Sequence, residues 1–283
     1  MTTSQAPVVC TIASADRPGI VAAVTAAIAA SGGNILELHQ HTDRDVGAFN
    51  ARIEVDAGVD LDALRGFFDD LRASMGLTCT IHEGGSRPRA VVLCSSVLHC
   101  LSDLLARIDL GELSCDIVAV LSDRTDAAEL SSRAGVPFFH VPVGEDRARQ
   151  EAAVAALLEE LEPDLVVLAR YMRILPEHMV TAYEGRMINV HHSFLPAFIG
   201  ANPYRRAHER GVKMIGATAH YVTAELDAGP IIEQDVTRVT HADRVPDLIR
   251  LGADLERAVL IRAVGLHLEH RVFVVANRTC IFR

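Results

Sequence analysis

The sequence predicts an α/β protein in two parts. One is an N-terminal ferredoxin-like unit with element order βαββαβ, and the other a larger, doubly wound unit on a mostly parallel sheet. Three observations lead there. The chain has 283 residues, which divides into roughly two domains at about 150 residues each. The stretch His82-Glu83-Gly84-Gly85-Ser86-Arg87-Pro88-Arg89 breaks both helix and strand, so the boundary is placed between domains 1–85 and 86–283. Beyond it, near-continuous apolar runs alternate with helical periodicity, as strands covered by helices on both faces require.

In the first part, Val8 to Ala13 reads as a buried strand, and Asp16-Arg17-Pro18-Gly19 supplies turn chemistry. Ile20, Val21, Val24 and Ile28 then recur at helical spacing, and Ser31-Gly32-Gly33-Asn34 ends that helix. Two strands follow, Ile35 to His41 and Ala48 to Val55, joined through Asp43-Arg44-Asp45. A helix carrying Leu61, Leu64, Phe67, Phe68 and Leu71 and a strand Leu77 to Ile81 complete the unit.

In the second part the predicted elements are strands at Ala90 to Cys94, Ile117 to Leu121 and Leu165 to Ala169, with helices at Val97 to Arg107, Ala127 to Ala134 and Arg147 to Leu161. Met187 to Val190 makes a further strand. Asp243 to Glu269 reads as one long amphipathic helix, with a hairpin of Val272 to Val275 and Thr279 to Phe282 after it. His241, His267 and His270 are expected at the surface.

Composition excludes several function classes. A formal net charge of −10 opposes non-specific binding to nucleic acid or acidic membranes. With nine Phe, four Tyr and no Trp, aromatics are sparse and platforms for stacking bases are not expected. The longest apolar run, Ile20 to Ala30, is interrupted by Thr25 and falls well short of the roughly 20 residues that span a bilayer. The N-terminus has no basic region of a secretory signal. Six cysteines without a CxxC pair form neither a zinc framework nor a disulfide scaffold. A cytoplasmic protein is expected, with no metal.

Ligands of open α/β sheets bind at the carboxyl ends of the strands, which directs attention to residues 186–230. On the strand Met187 to Val190, Asn189 and His191 share a face because side chains alternate with period two. An amide there can donate to a developing oxyanion while an imidazole shuttles a proton. Asp227, in the loop closed by Gly229-Pro230, could orient that imidazole and raise its affinity for a proton. Singly, each has an ordinary structural explanation: a buried strand-end histidine, a turn-capping Asn189 and an Asx-turn at Asp227. Adjacent His191 and His192 are expected on opposite faces, which disfavours joint metal binding.

Together, Asn189-Val190-His191, Ser193-Phe194-Leu195-Pro196 and Leu226-Asp227-Ala228-Gly229-Pro230 resemble the folate-dependent formyltransferase family, over roughly residues 89 to 283. Arg173-Ile174-Leu175 resembles that family's pterin-side segment. The segment Asp16-Arg17-Pro18-Gly19-Ile20-Val21 with Gly32-Gly33-Asn34-Ile35 resembles an ACT domain. His191-His192-Ser193-Phe194-Leu195-Pro196, combined with that N-terminal domain, is similar to the formyltetrahydrofolate deformylases, the hydrolytic branch. No glycine stands in Cys94-Ser95-Ser96-Val97-Leu98-His99-Cys100-Leu101, where a phosphate cradle would need one.

The resemblance implies a catalytic trio of Asn189, His191 and Asp227. It implies folate contacts at Arg173, Ile174, Leu175, Val222, Thr223, Ala224 and Glu225, with His220 and Thr218 as secondary positions. The substrate it implies is 10-formyltetrahydrofolate, cleaved to formate for purine synthesis and for balance of the one-carbon pool, with no cofactor. It further implies a candidate effector site at Asp16, Arg17, Pro18, Gly19 and Ile20 for an amino acid such as methionine or glycine, and a homo-oligomer, tetramer or hexamer. Set against that, the first domain also reads as an assembly surface only. Asn202 stands where arginine is expected and Asp123 where asparagine is usual. The rival readings are a formyltransferase to an amine and a non-catalytic amino-acid sensor.

Overall fold

The computed structural model describes residues 6–197 and 203–283 and separates into two compact units. The first comprises the described chain up to Ser86 together with Glu269–Ala276 and Cys280–Arg283; the second comprises Arg87–Leu268 and Asn277–Thr279. Most of the C-terminal tail therefore groups with the N-terminal unit, and residues 87–268 form the bulk of the other.

The first unit runs β1 (Val8–Ala15), α1 (Ile20–Ala30), β2 (Ile35–Asp43), β3 (Ala48–Val55), α2 (Leu61–Met75) and β4 (Thr78–His82). Its strands pair antiparallel in the order β2-β3-β1-β4, the ferredoxin-like arrangement the sequence predicts. Cys10 and Ile12 alternate inward from β1, and Ile20, Val24, Ala27 and Ile28 face them from α1 at helical spacing. The Asp60 carboxylate starts α2 by accepting from the amides of Asp62 and Ala63. Leu64 and Phe68 of α2 are buried, whereas Phe67 faces outward.

The second unit contains β5 (Arg89–Cys94), α3 (His99–Asp109), β6 (Asp116–Ser122), α4 (Ala128–Arg133), β7 (Phe138–His140), α5 (Arg147–Leu161) and β8 (Leu165–Ala169). It continues through α6 (Glu177–Ala182), β9 (Met187–His191), α7 (Pro203–Arg210), β10 (Met214–Tyr221), β11 (Ile231–Arg238) and α8 (Val245–Leu268). The hairpin β12 (Val272–Val275) and β13 (Arg278–Ile281) closes the chain.

The seven-stranded sheet has the order β11-β10-β9-β8-β5-β6-β7. Neighbours are parallel from β7 through β9, and the β9-β10 and β10-β11 pairs are antiparallel. From central β5 the chain winds outward to β6 and β7, then returns to place β8 and β9 on the other side. The switch point lies between β5 and β8, where such sheets bind ligands. Leu165 to Ala169 are all buried, consistent with helices on both faces.

Five elements are absent from the sequence reading: β7, α6, α7, β10 and β11. β7 is three residues long; β10 carries Gly216, Ala217 and Ala219, weak strand formers; β11 is an edge strand bearing Glu233, Gln234 and Asp235. Among the described residues no helix is long and apolar enough to cross a membrane.

Candidate active site

The site is built on β9 and β10. Their antiparallel register places His220 opposite Asn189 and Thr218 opposite His191. Asn189 and His191 thus project from one face of β9, with His220 beside them. His191 Nδ1 lies 3.3 Å from Asp227 Oδ2, and His220 Nε2 lies 3.8 Å from Asp227 Oδ1. Asn189 Nδ2 is 3.2 Å from His220 Nε2, and His220 Nδ1 is 2.9 Å from the Tyr221 carbonyl.

These contacts fix proton positions. A carbonyl only accepts, so His220 donates from Nδ1 and its Nε2 lone pair receives one amide hydrogen of Asn189. The second amide hydrogen is left for another acceptor. Burial pushes His220 below the ordinary imidazole range, outweighing its bond to the Tyr221 carbonyl and the charge of Asp227, so the ring is neutral. Burial also works to raise the Asp227 carboxyl, but the bond from His191 and the fields of His191, His220 and His192 hold it below the usual carboxylate range. With Asp227 ionised, His191 donates from Nδ1 and carries its lone pair on Nε2. That Nε2 is buried and has no partner.

Asp227 reaches this position on a tight loop. The amide of Val222 donates to the Met187 carbonyl and that of Tyr221 to Pro230, so both ends of residues 222–230 are tied to the sheet. Asp227 itself adopts φ 55°, a left-handed backbone uncommon outside glycine and frequent where structure positions a functional group. Gly229 permits the close return: a Cβ there would sit 1.8 Å from the Tyr221 carbonyl oxygen.

A cavity of about 670 Å³ opens over these groups and is lined by Asn189, His191, His192, His220 and Asp227 together with Arg173, Ile174, Leu175, Val222, Thr223 and Ala224. The structure therefore brings most of the sequence-predicted residues to one place. Two stand apart. Thr218 is fully buried and braces the backbone instead: its hydroxyl donates to the Ser193 carbonyl and accepts from the Leu195 amide. The Glu225 side chain is exposed and outside the cavity lining. In the first unit, Asp16 to Gly19 form an exposed junction tied to Gly47 through the Asp16 amide, while Ile20 is core. Asn202 lies outside the described residues.

Two expectations change. His192 follows the last residue of β9, so strand alternation ends before it; its ring stacks on His191 with centroids 4.9 Å apart, and both line the cavity. His267 is half-buried against the Tyr221 hydroxyl at 2.8 Å, and His270 stacks on His82 at 3.5 Å, so neither is a plain surface residue. Asp123, the residue standing where asparagine is usual, pairs with a predicted folate contact: one of its oxygens receives both Nε and Nη2 of Arg173, at 2.8 and 2.7 Å.

That pair makes a stability prediction. The Asp123 side chain is 2 % exposed and Arg173 46 %. Arg173→Met strands a buried charge, which typically costs about 3–5 kcal/mol, whereas Asp123→Asn frees a guanidinium that water can solvate. Denaturant unfolding is expected to show the larger loss for Arg173→Met.

Sequence reasoning missed a second polar cluster under the cavity floor. Glu256 of α8, 2 % exposed, receives His99 Nε2 at 2.8 Å and the Tyr204 hydroxyl at 2.7 Å, and Arg170 Nε lies 3.3 Å away. Gly252 lets Tyr204 reach it, since a Cβ there would fall 1.9 Å from the Tyr204 oxygen. His99, Cys100 and Glu256 have the proximity of a metal site. The Glu256 carboxylate is already engaged there by His99, Tyr204 and the charge of Arg170.

Comparison with known proteins bears on this geometry. The formyl transferase family model matches residues 88–264 and the ACT domain model residues 8–65. A formyltetrahydrofolate deformylase of Synechocystis is 48 % identical over 271 residues, covering 94 % of this chain and 95 % of that protein. The Bacillus subtilis formyltetrahydrofolate deformylase is 46 % identical, covering 94 % and 91 %. The crystal structure of a formyltetrahydrofolate deformylase from Pseudomonas syringae superposes with a TM-score of 0.97 at 43 % identity, over 100 % of this chain and 96 % of the other. The chain belongs to the formyltetrahydrofolate deformylase family. The resemblance read from Asn189 to Pro196 and from Asp16 to Ile35 is thus correct for both domains. In the glycine-free region after β5, Ser95 Oγ accepts the Met172 amide at 3.3 Å.

Proposed function

We propose that this chain hydrolyses 10-formyltetrahydrofolate to formate and tetrahydrofolate, with Asn189, His191 and Asp227 as its catalytic trio. The observation that carries this reading is the buried, unpartnered Nε2 of His191 in the cavity wall, backed by Asp227 and flanked by the Asn189 amide. That lone pair has no protein partner and is placed to accept a proton from water.

In the first step water attacks the formyl carbon and gives a proton to His191 Nε2, while Asp227 holds the Nδ1 proton and stabilises the imidazolium. The formyl oxygen gains the negative charge and takes the second amide hydrogen of Asn189, in the manner of an oxyanion hole. The tetrahedral carbon then expels N10, which receives the proton back from His191. Formic acid and tetrahydrofolate leave, the acid passing its remaining proton to solvent to become formate, and the imidazole is neutral again. Arg173 to Leu175 and Val222 to Ala224 border the cavity on the side we assign to the folate ring. A volume of about 670 Å³ lies within the roughly 300–1,000 Å³ of small-molecule sites.

The N-terminal unit is proposed as an assembly and regulatory domain that takes an amino acid at Asp16 to Gly19, with Ile20 anchoring the junction in the core. The assembly is proposed to be a homo-oligomer. Six free cysteines fit a reducing, cytoplasmic setting, where released formate would feed purine synthesis.

The test is to incubate purified protein with 10-formyltetrahydrofolate and no amine. Formate and tetrahydrofolate are expected in equal amounts. Tetrahydrofolate released only after an amine is added, with the formyl group on the amine and no formate, would favour the transferase reading, and no turnover under either condition the sensor reading.

A further inference from the structure

We infer that Glu256, Arg170 and His192 form a positioning relay, in which the guanidinium of Arg170 holds His192 as the tautomer protonated on Nε2 and so makes it a neutral hydrogen-bond donor in the cavity wall beside His191. Arg170 Nη1 lies 2.5 Å from His192 Nδ1. A guanidinium has donors only, so Nδ1 accepts, and the ring's proton resides on Nε2. Arg170 follows the carboxyl end of β8 with φ 62°, a strained backbone retained where the surroundings dictate it. Behind it the buried Glu256 carboxylate lies 3.3 Å from Arg170 Nε, an ion pair without hydrogen-bond alignment, and is itself held by His99 and Tyr204.

The relay gives the stacked pair different jobs. His191 has its proton on Nδ1, facing Asp227, and a lone pair on Nε2; His192 has the reverse. One imidazole accepts a proton during the reaction while its neighbour only donates a hydrogen bond. The groups facing His192 are Arg170 after β8, His191 on β9, Tyr204 on α7, Asp227 in the loop after β10 and Glu256 on α8. Burial and the charges of Arg170 and His191 outweigh the two carboxylates and bring His192 down to about 4. It therefore remains neutral through the range in which an ordinary histidine titrates.

The kinetic part of this inference rests on the hydrolytic reading above; the tautomer does not. Histidine-selective ¹⁵N NMR of the whole protein is expected to show His192 with an unprotonated Nδ1 and a protonated Nε2, unchanged from pH 8 to pH 5. The opposite tautomer, or protonation of His192 near pH 6, would overturn the relay whether or not formate is released. In Arg170→Gln the guanidinium charge is gone, so His192 is expected to gain a proton at higher pH than in the parent, read by the same ¹⁵N titration. Glu256→Gln provides a second variant should Arg170→Gln fold poorly: a loosened guanidinium is expected to broaden the Nδ1 resonance. Kinetically, His192→Phe is expected to lose about tenfold in kcat with KM little changed, the worth of one neutral hydrogen bond, and His192→Gln to recover most of it. Equal kcat in His192→Phe and the parent would remove His192 from the reaction.

Discussion

His191→Ala is expected to lower kcat by about 10²–10⁴-fold, the usual contribution of a positioned general base, while the protein stays folded. The folding part follows from the surroundings. The His191 ring borders a cavity, so its removal leaves the apolar cores of the two units intact, including Leu93, Leu121, Leu158 and Leu168 of the larger unit. It leaves the Asp227 carboxylate without its His191 donor, a cost of about 1–3 kcal/mol that falls on the cavity and not on the cores. The catalytic part follows from the absence of a substitute. His220, the nearest other imidazole, has its lone pair on Asn189 and its proton on the Tyr221 carbonyl, and burial keeps it from taking a second proton. Comparing turnover of the purified variant with its far-ultraviolet circular dichroism separates the two parts. Turnover within a few-fold of the parent in a folded His191→Ala would remove the mechanism.

Much of this site was legible before any coordinates. The period of two along Met187 to His191 put an amide and an imidazole on one face, and the Gly-Pro closing residues 226–230 marked a tight acidic loop. Apolar runs such as Leu165 to Ala169 marked the parallel strands, since only strands covered on both faces read that way. What escaped did so for physical reasons. β10 is built from Gly216, Ala217 and Ala219, whose small side chains are there because neighbouring layers approach closely, and propensity reads them as weak. Glu256 occupies an amphipathic helix, where a lone acidic residue reads as solvent-facing. Its burial depends on Arg170, His99 and Tyr204 converging from three distant segments, and nothing in local pattern records that convergence. His192 failed for a simpler reason: alternation was carried one residue past the strand's end.

Gly229→Ala is expected to cost about 10²-fold in kcat without any change in the reacting groups. A Cβ at 229 would stand 1.8 Å from the Tyr221 carbonyl oxygen and 3.2 Å from Thr223 Cγ2. The first of these is backbone and has no rotamer to escape into, so either the 222–230 loop or the end of β10 must shift. Both movements reach the chemistry. Displacing the loop carries Asp227 away from His191 Nδ1, and displacing the Tyr221 carbonyl frees His220, which then no longer presents its lone pair to Asn189. Misplacement by about 1 Å is enough for a 10²-fold loss. The stability cost, by contrast, is that of local overpacking, about 1–3 kcal/mol, because the strands themselves retain their pairing. Gly185→Ala is the matched control: Gly185 also belongs to a turn, with φ 69°, but a Cβ there meets nothing within 4 Å. The control is expected to lose stability through its backbone and keep its turnover, whereas Gly229→Ala loses turnover out of proportion to its stability. Denaturant unfolding and steady-state formate release on the two variants decide the matter, and parallel behaviour would show that the loop's tight return does not position the acid.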